Sequence, residues 1–231
     1  MPTPSSVLSL HQVALSERRR SSSGPLTFHL GHGETALIEV TDQGDTDLLI
    51  DLCLGLVEPV RGEVHYLGEA WHLFAYRERL ARRSRIGTLV GAQVWPGYLP
   101  IAEVMLTPAF YHSGGDVDDA VDAATVLARR FGLPGLPMGT REDVPPGLQV
   151  RAACVRAFFG SPDLVIVADA SLELMGELGV AMAQAIGEVQ DRGGAVLWLV
   201  ESVAAPAARF VAASHVVRLG DRGLVPARRP A

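Results

Sequence analysis

The segment GETALIEVTDQGDTDLLIDLCLGLV, residues 33–57, decides the fold class of this 231-residue chain. Residues 35–40 form a largely apolar run rich in β-formers, which predicts a buried parallel strand. Residues 41–47 are polar and contain Gly44, and residues 48–57 carry apolar side chains at helical spacing. A strand that leads through a polar, glycine-bearing loop into a helix is the geometry of a phosphate-binding site.

Outside this segment, strands and helices continue to alternate along the chain. We predict strands at residues 7–15, 26–30, 63–66, 86–90, 163–167, 195–200 and 215–219. We predict helices at residues 77–83, at 102–131 with a break at 113–116, and at 147–159, 172–192 and 204–213. Residues 225–231 are predicted to be a polar tail. This alternation predicts an α/β fold with a mainly parallel core sheet.

The charged residues exclude several kinds of chemistry. All 20 basic side chains are arginines, against 26 acidic ones, and the net charge is −6. A chain without lysine cannot use Schiff-base chemistry or the lysine of a standard phosphate loop. A net negative charge does not favour a phosphate backbone, so we expect no nucleic-acid partner.

Cysteine usage and hydropathy point to the cytoplasm. Cys53 and Cys154 lie far apart in apolar segments, which favours buried thiols in a reducing compartment over a disulfide. The most apolar stretch, residues 194–219, is interrupted by Glu201 and Arg209. A membrane span needs about 18 or more consecutive apolar residues, so any membrane role is expected to come through a partner.

The order of elements resembles the nucleotide-binding subunit of an ATP-binding-cassette (ABC) transporter over residues 7–219. The landmarks are Gly33-Glu34 before a strand, residues 54–64, residues 85–87, residues 99–103 before a helix, residues 151–158 and residues 162–167. The resemblance implies an ABC-type P-loop ATPase fold, with an α/β core and an antiparallel β lobe towards the N-terminus. It also implies one domain over residues 1–231, with a helical lobe at about residues 101–146. Residues 91–99 and 131–134 are similar to ATPases of Mla- or Mce-type lipid transporters.

The family's phosphate loop needs a lysine for the outer phosphates and a hydroxyl for magnesium. Aligned from the strand side, Gly44 and Thr46 match and Asp45 takes the place of the lysine; aligned from the helix side, Thr46 takes it. Asp42, Asp45 and Asp47 crowd the loop instead. Two unit charges about 4 Å apart interact by roughly 4 kcal/mol at an effective dielectric of 20. Aspartates in place of a lysine would therefore repel the phosphates of a nucleotide instead of attracting them. We expect these aspartates to cap the following helix.

The family's signature motif is also altered. Pro145 and Pro146 take the places of its serine and first glycine, and Gly147 matches its second glycine. The prolines remove a hydroxyl and two backbone N–H donors.

The positions of the metal and water ligands are altered as well. The resemblance places the magnesium-binding aspartate at Ala168, the catalytic glutamate at Asp169 and the switch histidine at Glu201. The family's glutamine that contacts magnesium and the attacking water would fall at Gly91, and the nearest glutamine, Gln93, comes two residues later. Asp169 could polarise a water, but its side chain is one methylene shorter and no metal-binding neighbour accompanies it. We assign no catalytic residue, expect no metal site, and interpret Asp169 as a cap at the end of a strand.

Gln93, Trp95, Pro96, Tyr98 and Leu99 form a separate candidate site. In the family this stretch lies in the groove that receives the coupling helix of the permease. Exposed aromatic side chains are favoured interface anchors, so these residues are predicted to dock a permease. The alternative is a local core beneath a long loop.

The seven histidines show no metal-ligand spacing with cysteines or carboxylates, and we expect them to be surface residues.

Together these patterns predict a cytoplasmic subunit, peripheral on the inner face of the cell membrane, whose ATP sites are degenerate. It would pair with an integral membrane permease and form a homodimer or a heterodimer with another ABC ATPase subunit. We expect no cofactor and little or no hydrolysis. Two alternatives stay open. One is an active ATPase that binds magnesium and ATP in a non-standard way, with Asp169 as base and an arginine from elsewhere in the fold. The other is a structural or regulatory pseudo-ATPase unrelated to transport.

Overall fold

The computed structural model describes residues 6–14, 24–90, 95–112, 117–168, 172–203 and 211–227, without the side chains of 108–112 and 172–176. The strands are β1 (Ser6–Ala14), β2 (Leu26–Gly31), β3 (Thr35–Glu39), β4 (Arg61–Tyr66), β5 (Glu69–Ala70), β6 (Ile86–Leu89), β7 (Leu164–Ala168), β8 (Ala195–Val200), β9 (His215–Gly220) and β10 (Gly223–Pro226). The helices are α1 (Gln43–Cys53), α2 (Tyr76–Arg83), α3 (Ile101–His112), α4 (Val117–Arg130), α5 (Pro146–Phe158) and α6 (Leu172–Asp191), with a 3-10 helix at Trp71–Leu73.

The strands form two sheets. The larger sheet has the order β10-β9-β3-β8-β7-β6, in which all neighbouring pairs are parallel except β9 and β10. Every residue of β3, β7 and β8 is buried, which explains why these strands read as continuous apolar runs. The smaller sheet, β2-β1-β4-β5, is antiparallel. The predicted α/β fold with a mainly parallel core and an antiparallel β lobe is confirmed.

A hydrogen bond from the smaller sheet reaches an ion pair at the edge of the larger sheet. Arg85, just before β6, donates from Nε and from a terminal nitrogen to the Asp163 carboxylate at 2.5 and 2.6 Å. The hydroxyl of Tyr66, at the end of β4, donates to the same carboxylate at 3.3 Å. Burial and the Asp163 charge raise the pKa of Tyr66, so the phenol stays protonated and can donate.

Both cysteines are buried and free, as predicted. Cys53 lies in the core between the two sheets, and Cys154 lies on the buried face of α5. Burial raises the pKa of each thiol to about 12, which keeps both in the unreactive protonated form.

Three predicted boundaries were wrong. Helix α1 begins at Gln43 instead of residue 48. The prediction missed its first turn because that turn is polar and shows no apolar periodicity. The first two residues of the predicted polar tail, 225 and 226, belong to β10, which pairs with β9 across a two-residue turn at 221–222. Of the helix predicted at 204–213, residues 204–210 lie outside the described part of the chain, and residues 211–213 are not helical.

None of the helices in the described ranges combines the length and apolar character that a membrane span requires.

Helix α5 packs so closely on β6 that only glycine fits at residue 87. A Cβ at Gly87 would lie 1.7 Å from the carbonyl oxygen of Ala157. We expect Gly87→Ala to lower the free energy of unfolding by at least about 3 kcal/mol, because backbone atoms would have to move. The matched control is Gly187→Ala in α6, where an added Cβ meets no atom within 4 Å. That change should raise stability by about 0.5–1 kcal/mol through helix propensity. Urea unfolding measures both, and equal effects of the two variants would contradict the packing argument.

Candidate functional site

The candidate site lies at the carboxyl edge of the parallel sheet. Glu39, the last residue of β3, is level with Val200 at the end of β8. Ala168, the last residue of β7, is level with Leu199. The sheet therefore brings the start of the loop after β3 to the same edge as Ala168 and the chain that leads to Glu201. In open α/β sheets this edge is where ligands bind.

The N-terminus of α1 is capped by a carboxylate of its own chain. Asp42 is the N-cap residue, and its Oδ1 accepts a hydrogen bond from the backbone N–H of Asp45 at 3.0 Å. The backbone oxygen of Asp42 accepts from the N–H groups of Asp45 and Thr46, both at 3.1 Å. Thr46 is buried, and its hydroxyl also donates to the Asp42 oxygen at 3.3 Å. Asp42 thus accepts from the donors of Asp45 and Thr46, and the predicted capping role is confirmed for that residue.

The other aspartates of the loop lie within the first turns of α1 rather than at the cap. Gln43 donates a side-chain hydrogen bond to Asp47 at 2.9 Å. Gly44 and Asp45 are partly buried, whereas Asp47 is exposed. Acidic residues near a helix N-terminus are favoured by the helix dipole. The loop contains no arginine or lysine, so no cation of the loop itself compensates its carboxylates. A backbone N–H donates to Asp42, and a side-chain amide donates to Asp47.

A further carboxylate, missed from the sequence, stands at the base of the loop. Glu39 is only 6% exposed, and its Oε2 accepts from the backbone N–H of Val203 at 2.9 Å. Its other oxygen forms an ion pair with Arg218 of β9, the residue level with it in the sheet. The sequence signal that could have revealed Glu39 is a single acidic residue at the end of an otherwise apolar strand. The arginine that pairs with it is distant in sequence and adjacent only in the fold.

The altered signature motif forms the N-terminus of another helix. Pro145 is the N-cap of α5 and Pro146 its first residue, and with Gly147 both are exposed. The oxygen of Pro145 accepts from Leu148 and Gln149, and neither proline has an N–H to offer. The buried side chain of Gln149 donates to the backbone oxygens of residues 141 and 144 at 2.8 and 2.7 Å, which holds the preceding segment against the helix.

The remaining candidate positions are only partly described. Ala168 is buried and apolar, and Glu201 is exposed just after β8. Asp169, Gly91 and Gln93 lie outside the described residues. Within the described ranges, no group of three or more histidine, cysteine, aspartate or glutamate side chains could hold a metal ion.

The segment predicted to dock a permease divides into a buried and an exposed part. Trp95 is 3% exposed and packs in the core beneath α5, so its assignment as an exposed anchor was wrong. The guanidinium carbon of Arg156 lies 4.9 Å from the centre of its ring, and burial lowers the pKa of Arg156. Tyr98 is 81% exposed, as predicted, while Pro96 and Leu99 are half-buried. Sequence spacing could not separate these environments, because 95 and 98 lie in an irregular loop.

Another group of exposed apolar side chains occurs around α2. Leu73 of the 3-10 helix, Tyr76 and Leu80 are all exposed, and Tyr76 and Leu80 are one helical turn apart. We call Leu73, Tyr76 and Leu80 the α2 apolar face.

Comparison of the sequence with models of known protein families finds no match, and no curated protein is found to be similar to it. Comparison of the structure gives clear likenesses. One is to a dimeric, post-hydrolysis state of the ATP-binding cassette MJ0796 bound to ADP and phosphate, with a TM-score of 0.78 and 14% identity over 96% of this chain and 98% of that one.

A second similar structure is the ATP-binding subunit of an ABC transporter, with a TM-score of 0.78 and 18% identity over 94% of this chain and 88% of that one. A third is cbiO1 from Clostridium perfringens, part of the ABC transporter complex cbiONQ, with a TM-score of 0.74 and 11% identity over 96% of this chain and 87% of that one. At these identities the likeness establishes the fold, and the chain has the fold of an ABC ATPase.

Proposed function

We propose that this chain is a cytoplasmic ABC subunit of a membrane transporter, that its ATP sites are degenerate, and that it hydrolyses little or no ATP itself. The fold is that of proteins described as ATP-binding cassettes and transporter subunits. In this proposal residues 1–231 form one cassette domain, in which residues 101–146 are the helical lobe. A lipid cargo is suggested only by the likeness of residues 91–99 and 131–134 to lipid-transporter ATPases.

The observation that carries the proposal is the capped N-terminus of α1. A magnesium-bound triphosphate needs free backbone N–H groups, a cation for the outer phosphates and a hydroxyl for the metal. Here the N–H of Asp45, together with the N–H and the hydroxyl of Thr46, donates to Asp42. Asp45 or Thr46, depending on the alignment, stands in the place of the lysine, and Glu39 adds a buried carboxylate at the base of the loop. These residues do not fit magnesium and ATP, and we derive no catalytic step through them.

Arg218 offers the one specific argument for a non-standard active ATPase. It brings a guanidinium to the base of the loop, where the sequence alone provides no cation. Its partner there is the Glu39 carboxylate, so its charge is already compensated. A phosphate would have to displace a carboxylate held by both Arg218 and the N–H of Val203. We therefore rank this alternative, with magnesium and ATP as cofactors and Asp169 as base, below the degenerate cassette.

The altered motifs would affect both sites of a dimer. In ABC assemblies each site combines the phosphate loop of one subunit with the signature of the other. Pro145 and Pro146 remove donors from the signature, and the loop after β3 carries the wrong charge. A homodimer would have no complete site, and a heterodimer with an active ABC subunit would be impaired on both sides.

Docking of an integral membrane permease is proposed for the exposed part of the 93–99 segment. Tyr98, with Gln93, Pro96 and Leu99, would supply the contacts, and the buried Trp95 would support the loop from inside the core. The exposed side chains of the α2 apolar face are a second candidate contact for the same partner. A transporter subunit needs such a surface, whereas a scaffold unrelated to transport does not need a permease-binding site.

Phosphate release from ATP tests the catalytic part of the proposal. The purified chain, with magnesium and millimolar ATP, should release no phosphate above the rate of a protein-free control, because the loop lacks a cation and the signature lacks its donors. Release that is clearly measurable, and that falls in Asp169→Asn, would instead establish the active-ATPase alternative.

Removal of the cap tests whether Asp42 serves structure. Asp42→Ala should lower the free energy of unfolding by about 1 kcal/mol, because the N–H of Asp45 loses its side-chain acceptor. Asp42→Asn keeps an acceptor oxygen and should stay within about 0.5 kcal/mol of the parent. Urea unfolding provides the values. A gain in stability on Asp42→Ala would show that repulsion among the loop carboxylates outweighs capping.

Substitution of Tyr98 tests docking. When the chain is co-expressed with a permease encoded beside its gene, Tyr98→Ala should reduce co-purification by more than about tenfold, as expected for an aromatic interface anchor. Val180→Ala is the control, since Val180 is 70% exposed but lies on α6. Unchanged recovery of the permease with Tyr98→Ala would count against docking at this segment.

A further inference from the structure

Three histidines that are distant in sequence meet on the outer face of the antiparallel sheet. The ring of His11, on β1, lies 5.1 Å from that of His29 on β2 and 4.5 Å from that of His65 on β4, measured between ring centres. Ser9 is level with both His29 and His65, which places all three neighbouring strands in register here. Because side chains alternate along a strand, Ser9 and His11 share this face. We call His11, His29 and His65 the histidine cluster.

The polar groups around the cluster supply little negative charge. His11 contacts the hydroxyl of Ser9 through Nε2 at 3.1 Å. His65 contacts Glu63, also on β4, at 3.0 Å. Glu63 in turn lies 3.9 Å from His72 of the 3-10 helix. In this part of the described structure Glu63 therefore lies near three imidazoles, those of His11, His65 and His72.

The cluster is not arranged as a metal centre, since no suitable group of three ligands exists within the described ranges. The rings instead lie edge to face or at a tilt to one another, and two protonated rings at this spacing would repel each other. Burial, His65 and His29 lower the pKa of His11, and Glu63 opposes them. The hydrogen bond with His65 lowers the pKa of Glu63, although its partial desolvation acts the other way.

We propose that the histidine cluster makes the antiparallel sheet pH-sensitive, so that protonation below about pH 6.5 loosens β1, β2 and β4 while the parallel sheet keeps its structure. Like charges directly across neighbouring strands are destabilising. Protonation of more than one ring would place such charges on adjacent strands, at the spacing of contacting rings. The parallel core strands β3, β7 and β8 carry no histidine.

Proton linkage gives the direction in which the stability of the folded chain changes with pH. The pKa of His11 is lower in the folded chain than the ordinary value of 6.5, so as the pH falls below 6.5 the unfolded chain takes up its proton first. The stability that the neutral His11 contributes is therefore fully present above pH 6.5 and is lost as the pH falls towards its folded-state pKa. Glu34 and Glu63 also have shifted pKa values, but theirs are lowered below 4.5. They stay ionised down to that value, so they do not account for a change near pH 6.

Hydrogen exchange measured by mass spectrometry at about pH 7.5 and about pH 5.5 tests the proposal, with EDTA present and rates corrected for intrinsic exchange. In the full chain, protection of peptides from β1, β2 and β4 should fall at least about fivefold more than that of peptides from β3, β7 and β8. His11→Gln should abolish this difference. His32→Gln, at a histidine outside the cluster that contacts the Gly193 oxygen, should leave it unchanged.

His29→Gln provides a second variant at an exposed position, in case His11→Gln does not fold. In thermal unfolding, the acid-induced fall in Tm should be smaller in either cluster variant than in the parent, by roughly 2–4 °C. Equal loss of protection in both sheets of the parent, or a difference that survives in His11→Gln and His29→Gln, would overturn the proposal.

Discussion

The compensation of one buried carboxylate determines how the edge of the parallel sheet is built. Glu39 ends β3 with a charge that is almost fully withdrawn from water, and a buried charge without partners is strongly unfavourable. Its oxygens are met by the N–H of Val203, just beyond β8, and by Arg218 of β9. The same side chain thus ties together the segments that follow β3 and β8 and the neighbouring strand β9. The loop that leads to α1 starts from this fixed point.

Beyond this point a residue of the same chain, Asp42, caps the N-terminus of α1. A helix start exposes N–H groups that an anion can satisfy, and here Asp42 is that anion. The same geometry that makes a helix N-terminus a phosphate site makes it a good place for a carboxylate. The strand, the loop and the helix are arranged as in an ABC ATPase fold. In our proposal, the ligand of that helix has been replaced by a residue of the protein.

Much of the fold could be predicted from sequence, because the buried strands β7 and β8 are continuous apolar runs, β3 is largely apolar, and the order of the elements is distinctive. Local caps were partly predictable, since Asp42 precedes the helix. Pairings between distant residues were not: nothing in the sequence joins Glu39 to Arg218 or brings His11 beside His65. The burial of Trp95 also depends on packing beneath α5, which an aromatic residue in a loop does not reveal. These features depend on strand order and register, which appear only once the sheets are assembled.

In our proposal the loop of residues 41–47, in which Asp42 caps α1, does not accept a nucleotide. Isothermal titration calorimetry of the purified chain with ATP and magnesium tests this most directly. We expect no binding heat in the micromolar range, since a triphosphate would have to displace Asp42 and approach the carboxylates of Asp45 and Glu39. A micromolar dissociation constant for ATP with magnesium would contradict it.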